Sequence, residues 1–181
     1  DSRVKASPAF ANAVVEILRK VGMADAKFKI AVTPCTPTSS GADTVDFLFS
    51  ANASVEARPI EKIASGGELS RVMLALKTIL ARHLALPTII FDEIDTGISG
   101  RVADATGQII AELSAGRQVI NITHLPQVAS KGDTHFKVFK EEGTTQIKLL
   151  THEERIGEVA AMLSGCDVTE AARAQARTLI G

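Results

Sequence analysis

The sequence predicts an α/β fold: a mainly parallel sheet flanked by helices, with an antiparallel hairpin. Three observations predict it. Thr88-Ile89-Ile90-Phe91 is a short, continuous apolar run, and Gln118 to Ile122 is a second. Runs of this kind read as strands buried on both faces of a parallel sheet. Residues 99–115, between them, have helical periodicity, and the strand–helix–strand order is that of a right-handed crossover. Further on, His135 to Lys140 and Thr144 to Leu150 flank the turn sequence Glu141-Glu142-Gly143, which predicts a hairpin.

The other elements follow in chain order. Residues 4–21 place Val14, Ile17, Leu18 and Val21 at three- and four-residue steps, with Arg19 and Lys20 near the end and Gly22 as a stop. Lys27 to Val32 alternates, as does Val45 to Ser50, so 27–50 is expected to hold two antiparallel strands. Thr33 to Asp43 is rich in Pro, Thr, Ser and Gly and is expected to be a loop. An apolar helix follows Ser65 and runs to about Leu84, before Pro87. Two helices, 152–163 and 168–180, end the chain, split at Gly165 and with Thr169 as a cap. There is no internal repeat.

Composition narrows the classes. The 181 residues fit one domain. Aromatic residues make up 4%, with no Trp or Tyr, so the core must be aliphatic. A net charge of -1 argues against a basic DNA-binding domain, without excluding a local patch such as Lys131, Lys137, Lys140 and Lys148. Cys35 and Cys166 have no Cys or His at metal spacing and read as incidental thiols of a reduced compartment. No run is long enough to span a membrane, and the polar residues Asp1 to Ala6 are not a signal peptide. The missing initial Met leads us to expect part of a longer chain.

Three groups of residues carry chemistry. The apolar strand ending in Asp92-Glu93 places two acids at the carboxyl edge of a parallel sheet, where α/β folds hold ligands. Adjacent acids there suit Mg²⁺, with Asp92 holding the metal shell and Glu93 orienting a water. The competing reading is a surface carboxylate pair. Ser65-Gly66-Gly67-Glu68 exposes backbone amides at a helix N-terminus, an anion site to which the Ser65 hydroxyl can also donate. The same Ser-x-x-Glu is a capping box, a reading compatible with the first. His124 closes the second buried strand, on the same sheet edge as the acids, where it suits phosphate sensing; a lone His is more often structural.

These motifs resemble the heads of SMC-like, ABC-type ATPases. Ser65-Gly66-Gly67-Glu68 looks like the signature loop, Ile89 to Glu93 like the Walker B strand, and His124 like the switch histidine. Longer stretches resemble the RecN family of bacterial DNA-repair proteins: Leu48 to Asn52, Ala64 to Leu76, Phe91 to Arg101, Ile122 to Ala129, Glu153 to Ile156 and Met162 to Gly165. In the D-loop position, Ser99 stands where transporters and SMC proteins usually have Asp, in agreement with that family.

The resemblance implies the C-terminal lobe of a P-loop (ABC/SMC-type) ATPase head, with residues 1–22 the root of a returning coiled-coil helix and 23–181 the lobe. It implies ATP and Mg²⁺ as cofactors. Glu93 would be the general base, His124 its catalytic companion, and Asp92 the metal-shell residue acting through water. Ser65, Gly66, Gly67, Glu68 and Ser99 would bind nucleotide, the Ser65 loop reaching ATP held by the opposite head. No Gly-x-x-x-x-Gly-Lys-Ser/Thr loop is present, so the N-terminal half of the head is an expected partner and this piece alone is expected to be inactive. The resemblance further implies an ATP-sandwiched homodimer, DNA and, through the family alone, a recombinase as partners. It implies double-strand break repair and recombination in the cytoplasm, at the nucleoid, with no membrane partner. An ATP-gated structural clamp on DNA is the alternative. A transporter subunit is disfavoured by Ile94, where Pro usually follows the catalytic Glu.

Overall fold

A computed structural model describes residues 2–63, 65–84, 86–165 and 167–181. Ala64, Ala85 and Cys166 lie outside the described residues, as does Asp1, so the reading of Cys166 as a free thiol falls there; Cys35 is a free thiol. The chain forms two compact units, Asp1–Ile89 with Ile94–Ile98 and Ile90–Glu93 with Ser99–Gly181.

The first unit is a helix pair with an antiparallel sheet. Helix α1, Ser2–Lys20, buries Val14, Ile17 and Leu18, the residues its periodicity selects. Strand β1, Lys27–Thr38, pairs antiparallel with β2, Gly41–Ser50, in a register that sets Phe28 opposite Phe49 and Ile30 opposite Phe47. A two-residue strand, β3 (Arg58–Pro59), completes the sheet in the order β1-β2-β3, and a 3₁₀ turn, Ile60–Lys62, follows. Helix α2, Gly66–His83, buries Val72, Leu74, Ala75, Leu76, Ile79 and Ala81. Phe47 stacks on both Phe10 (6.2 Å between centroids) and Phe28 (5.7 Å).

The loop expected at 33–43 is strand. β1 and β2 continue through most of it, with a register shift between Pro34 and Thr38 that absorbs the prolines. The turn is held by side chains: Thr38 Oγ1 donates to the Gly41 carbonyl (3.1 Å), while Arg3 donates to the carbonyls of Ser40 and Asp43. Turn-forming composition is thus overridden by contacts from a residue some forty positions away.

In the second unit, the end of β4 (Thr88–Asp92) pairs with β5 (Gln118–Ile122) in a two-stranded parallel sheet joined through helix α3, Gly100–Ser114. A short helix, α4 (Pro126–Ala129), leads to an antiparallel hairpin of β6, Phe136–Glu141, and β7, Thr144–Leu149. Its turn puts Glu142 (φ 48°) and Gly143 (φ 79°) in the left-handed region, as a two-residue hairpin turn requires. Helices α5, His152–Ser164, and α6, Glu170–Ile180, pack through Ile156, Val159, Ala160, Ala172 and Ala176. Thr151 and Glu154 form a complete capping box on α5, and Thr169 caps α6.

The strands β4 and β5 are not buried on both faces. Ile89 and Phe91 are buried, but Ile90, Ile120 and Ile122 remain 56%, 43% and 51% exposed. The continuous apolar pattern is correct for a two-sided strand, yet the described residues supply cover for one side only. The hairpin is also bare on one face, where Phe136 stands opposite Leu149 and Val138 opposite Ile147, all exposed.

Three of the four lysines singled out near the hairpin are ion-paired. Lys131 pairs with Asp104 (3.1 Å), Lys148 with Glu154 (2.5 Å), and Lys137 with Glu158.

Candidate functional site

The first part of the site is the start of α2. Ser65 is extended (φ -97°, ψ 120°), and its Oγ accepts from the Glu68 amide at 3.4 Å. The cap orients the first helical turn, whose leading amides have no partner within the helix and gather the positive end of its dipole. Ser65 and Gly66 are exposed, and a Cβ added at Gly66 would meet nothing within 4 Å, so the turn is open to an anion. Gly67 is different: a Cβ there would lie 3.2 Å from the Gly97 carbonyl oxygen and 3.5 Å from that of Thr96. A groove beside this turn is lined by Phe49, Asn52, Arg58, Lys62, Ile63 and Glu68, so the stretch 48–52 and the signature-like loop share one surface.

The second part is the end of the parallel pair. Asp92 is the last residue of β4 and is exposed, as is Glu93. Glu93 has φ 47°, and its amide donates to the Ile122 carbonyl at 3.1 Å. A left-handed backbone costs a non-glycine residue about 1–2 kcal/mol. Strain of this kind concentrates at working sites. No sequence pattern announced it. On the neighbouring strand, the chain leaves β5 after Ile122, and Thr123 Oγ1 accepts from the Leu125 amide at 3.0 Å to set the turn carrying His124. His124 is exposed. Asp92-Glu93 and Thr123-His124 therefore leave adjacent parallel strands at the same end.

The turn behind His124 is anchored. Leu125 caps α4, Pro126 opens it, and α4 lies on α3 at Gly107, where a Cβ would come within 3.0 Å of the Gln127 carbonyl oxygen. The Lys131–Asp104 ion pair joins the same two segments. Gly107 is a position that sequence reasoning missed; a helical glycine is the signal that could have found it.

Ser99 caps α3 with extended backbone (φ -159°, ψ 172°), and its hydroxyl makes no capping hydrogen bond. It is exposed. Ser65, Gly66, Gly67 and Glu68 belong to the first unit, and Asp92, Glu93, Ser99 and His124 to the second.

Among the described residues, no three of His, Cys, Asp and Glu converge as a metal-ion set. Mg²⁺ needs no such set when it travels with a nucleotide, because it takes one or two carboxylates and completes its shell with water and phosphate oxygens. Asp92, exposed at the strand end, fits that role. The open turn at Gly66 fits a phosphate.

No family model matches the chain. Among solved structures, it is similar to the Smc head domain with a coiled coil and joint from Pyrococcus yayanosii, with a TM-score of 0.69 and 22% identity over 84% of this chain and 28% of that one. It is also similar to a head from work on ATP-driven dimerization and DNA-stimulated activation of SMC ATPases, with a TM-score of 0.63 and 21% identity over 88% and 94% of the two chains. The fold is that of an SMC head domain.

The sequence relatives are more specific. The DNA repair protein RecN of Rickettsia conorii is 47% identical over 90% of this chain, and that of Halalkalibacterium halodurans 46% identical over 78%. RecN of Xylella fastidiosa is 41% identical over 99% of this chain. The chain corresponds to the C-terminal head part of the RecN family and spans 26–33% of the length of these relatives.

Proposed function

We propose that this chain is the C-terminal half of an SMC-like ATPase head that acts in DNA double-strand break repair and recombination. The observation that carries the reading is the joint exit of Asp92-Glu93 and Thr123-His124 from two adjacent parallel strands, with Glu93 held to Ile122 by its own amide. Similarity to RecN proteins supplies the biological setting.

ATP bound with Mg²⁺ supplies the electrophilic phosphorus and the charge that screens its oxygens. Within this chain, Asp92 would hold the metal through its water shell, and Glu93 would orient and deprotonate the attacking water. His124 donates a hydrogen bond toward the terminal phosphate. The Ser65 hydroxyl and the amides of Gly66 and Gly67 bind the terminal phosphate of a nucleotide held by a second head, with Glu68 fixing the turn. Ser99 replaces a carboxylate at the head–head contact. ATP thus joins two heads, and hydrolysis releases them.

Residues 1–22 form the root of a coiled-coil helix, and residues 23–181 the lobe. The partners are the N-terminal half of the same head, a second head in an ATP-sandwiched homodimer, DNA and a recombinase, in the cytoplasm at the nucleoid. The exposed Ile90, Ile120 and Ile122 suit cover by that N-terminal half. Among the described residues, no helix is long and apolar enough to cross a membrane.

The test is complementation. The 181-residue chain alone should show no ATPase activity, and adding the half that carries the phosphate-binding loop should restore it. Turnover by the lone chain would defeat the half-head reading.

A further inference from the structure

Helix α4 follows the turn of His124 at its front end, and one side chain grips its rear end. Arg155, in the first turn of α5, donates from Nη2 to the Ser130 carbonyl at 2.6 Å. Ser130 is the C-cap of α4 (φ -66°, ψ -22°) and is buried. A guanidinium on a carbonyl makes a charge-assisted hydrogen bond, roughly twice as strong as a neutral one. Arg155 is itself fixed: its amide donates to the Thr151 carbonyl at 2.9 Å, beside the capping box of α5, and the next residue, Ile156, lies in the α5–α6 core.

The grip passes along a short run of bonds. The Ser130 amide donates to the Pro126 carbonyl (3.0 Å) and its hydroxyl to the Gln127 carbonyl (3.1 Å). The amides of Val128 and Ala129 donate to the Leu125 carbonyl at 3.1 and 2.9 Å. The Leu125 amide in turn donates to Thr123 Oγ1 at 3.0 Å, across His124. From Thr123 to Ser130 the chain is one bonded piece, with the His124 turn at one end and Arg155 at the other. All of these residues belong to the second unit. Arg155 Nε is buried and makes no hydrogen bond to any described residue. Such an orphan costs about 1–3 kcal/mol. The guanidinium therefore stands where it serves Ser130, and not where its own donors are best satisfied.

We propose that Arg155 is a positioning residue for His124. Through Ser130 it fixes α4, and α4 fixes the turn that presents His124 to the terminal phosphate. Arg155 need not touch the nucleotide for this. The inference rests on the proposed ATPase reading and adds to it a residue outside the signature, Walker B and switch motifs.

The test is a double-mutant cycle in the complete protein, with Arg155→Ala and His124→Ala. At saturating ATP, each single variant should lose about tenfold in kcat, with KM nearly unchanged. In the His124→Ala background, Arg155→Ala should cost less than about twofold more, because it acts through a side chain already gone. Arg155→Lys keeps the charge, the stem and one donor for the single bond to Ser130, so it should recover most of the rate and covers the case in which the alanine variant does not fold. Without nucleotide, hydrogen exchange at the amides of Leu125, Val128, Ala129 and Ser130 should speed about fivefold or more in Arg155→Ala. Lys137→Ala, which breaks a different contact of α5, the pair with Glu158, should leave both readouts unchanged. Additive losses in the cycle, or unchanged exchange at these four amides in folded Arg155→Ala, would overturn the proposal. If His124→Ala turns over ATP at the parent rate, the role given to His124 fails separately, while the exchange comparison still decides whether Arg155 anchors its turn.

Discussion

The amide of Glu93 donates to the carbonyl of Ile122 across 3.1 Å, two positions before His124. This bond extends the β4–β5 pairing one residue past Asp92, into a residue whose φ of 47° departs from strand geometry. The pairing thus fixes the backbone at a residue in the left-handed region, so the bond and the strain meet at one position.

A glycine at position 93 would keep the bond and remove the strain. Glu93→Gly should raise the unfolding free energy of the protein by up to about 1 kcal/mol while abolishing turnover. Denaturant unfolding followed alongside ATPase assays checks both. A loss of stability would show that the left-handed backbone is not strained by the side chain.

The packing of α4 on α3 predicts a cost of the opposite sign. A Cβ at Gly107 would stand 3.0 Å from Gln127 O and 3.3 Å from Val128 Cα, so Gly107→Ala must push backbone. The expected destabilisation is about 1–3 kcal/mol, the range of overpacked cores. Since α4 follows His124 directly, kcat should also fall; a variant of parent stability would contradict the close approach.

Two groups give the second unit a pH response. A hydrogen bond from Lys148, with others from Thr151, holds the Glu154 carboxyl at about 2, against an ordinary value of 4.5. Its folded value is depressed, so its contribution is present above the unfolded value and is lost as pH falls from about 4.5 towards 2. Burial first, and then the Arg155 charge, lower the His135 imidazole from 6.5. The folded state thus resists protonation that the unfolded chain accepts, and stability declines as pH drops below 6.5. His135→Gln should flatten the stability profile near pH 6, and Glu154→Gln the profile in acid. Unfolding midpoints measured across pH 2 to 8 check both, and parent-like slopes in the variants would refute the assignments.

The elements that position the site were legible because their signals are local. Ser65 before an apolar helix, the run ending at Asp92, and the crossover to the strand before His124 all lie within short windows. What escaped depends on contacts between distant residues. The strand at 33–38 needs Arg3 on its turn, and the one-sided burial of Ile90 and Ile120 depends on which residues cover a sheet. The left-handed Glu93 and the Gly67–Gly97 approach are likewise tertiary: nothing in a carboxylate or a lone glycine states what will lie against it.

The most direct test of the account is Glu93→Gln in the complete protein, measured as ATP-dependent head dimerisation by sedimentation together with ATP turnover. The variant keeps the size of the side chain and loses its basicity. It should bind ATP, accumulate as a long-lived dimer and turn over at least about a hundredfold more slowly than the parent, in line with loss of a general base. Hydrolysis at the parent rate, with no trapped dimer, would contradict the role of Glu93 and the half-head built around it.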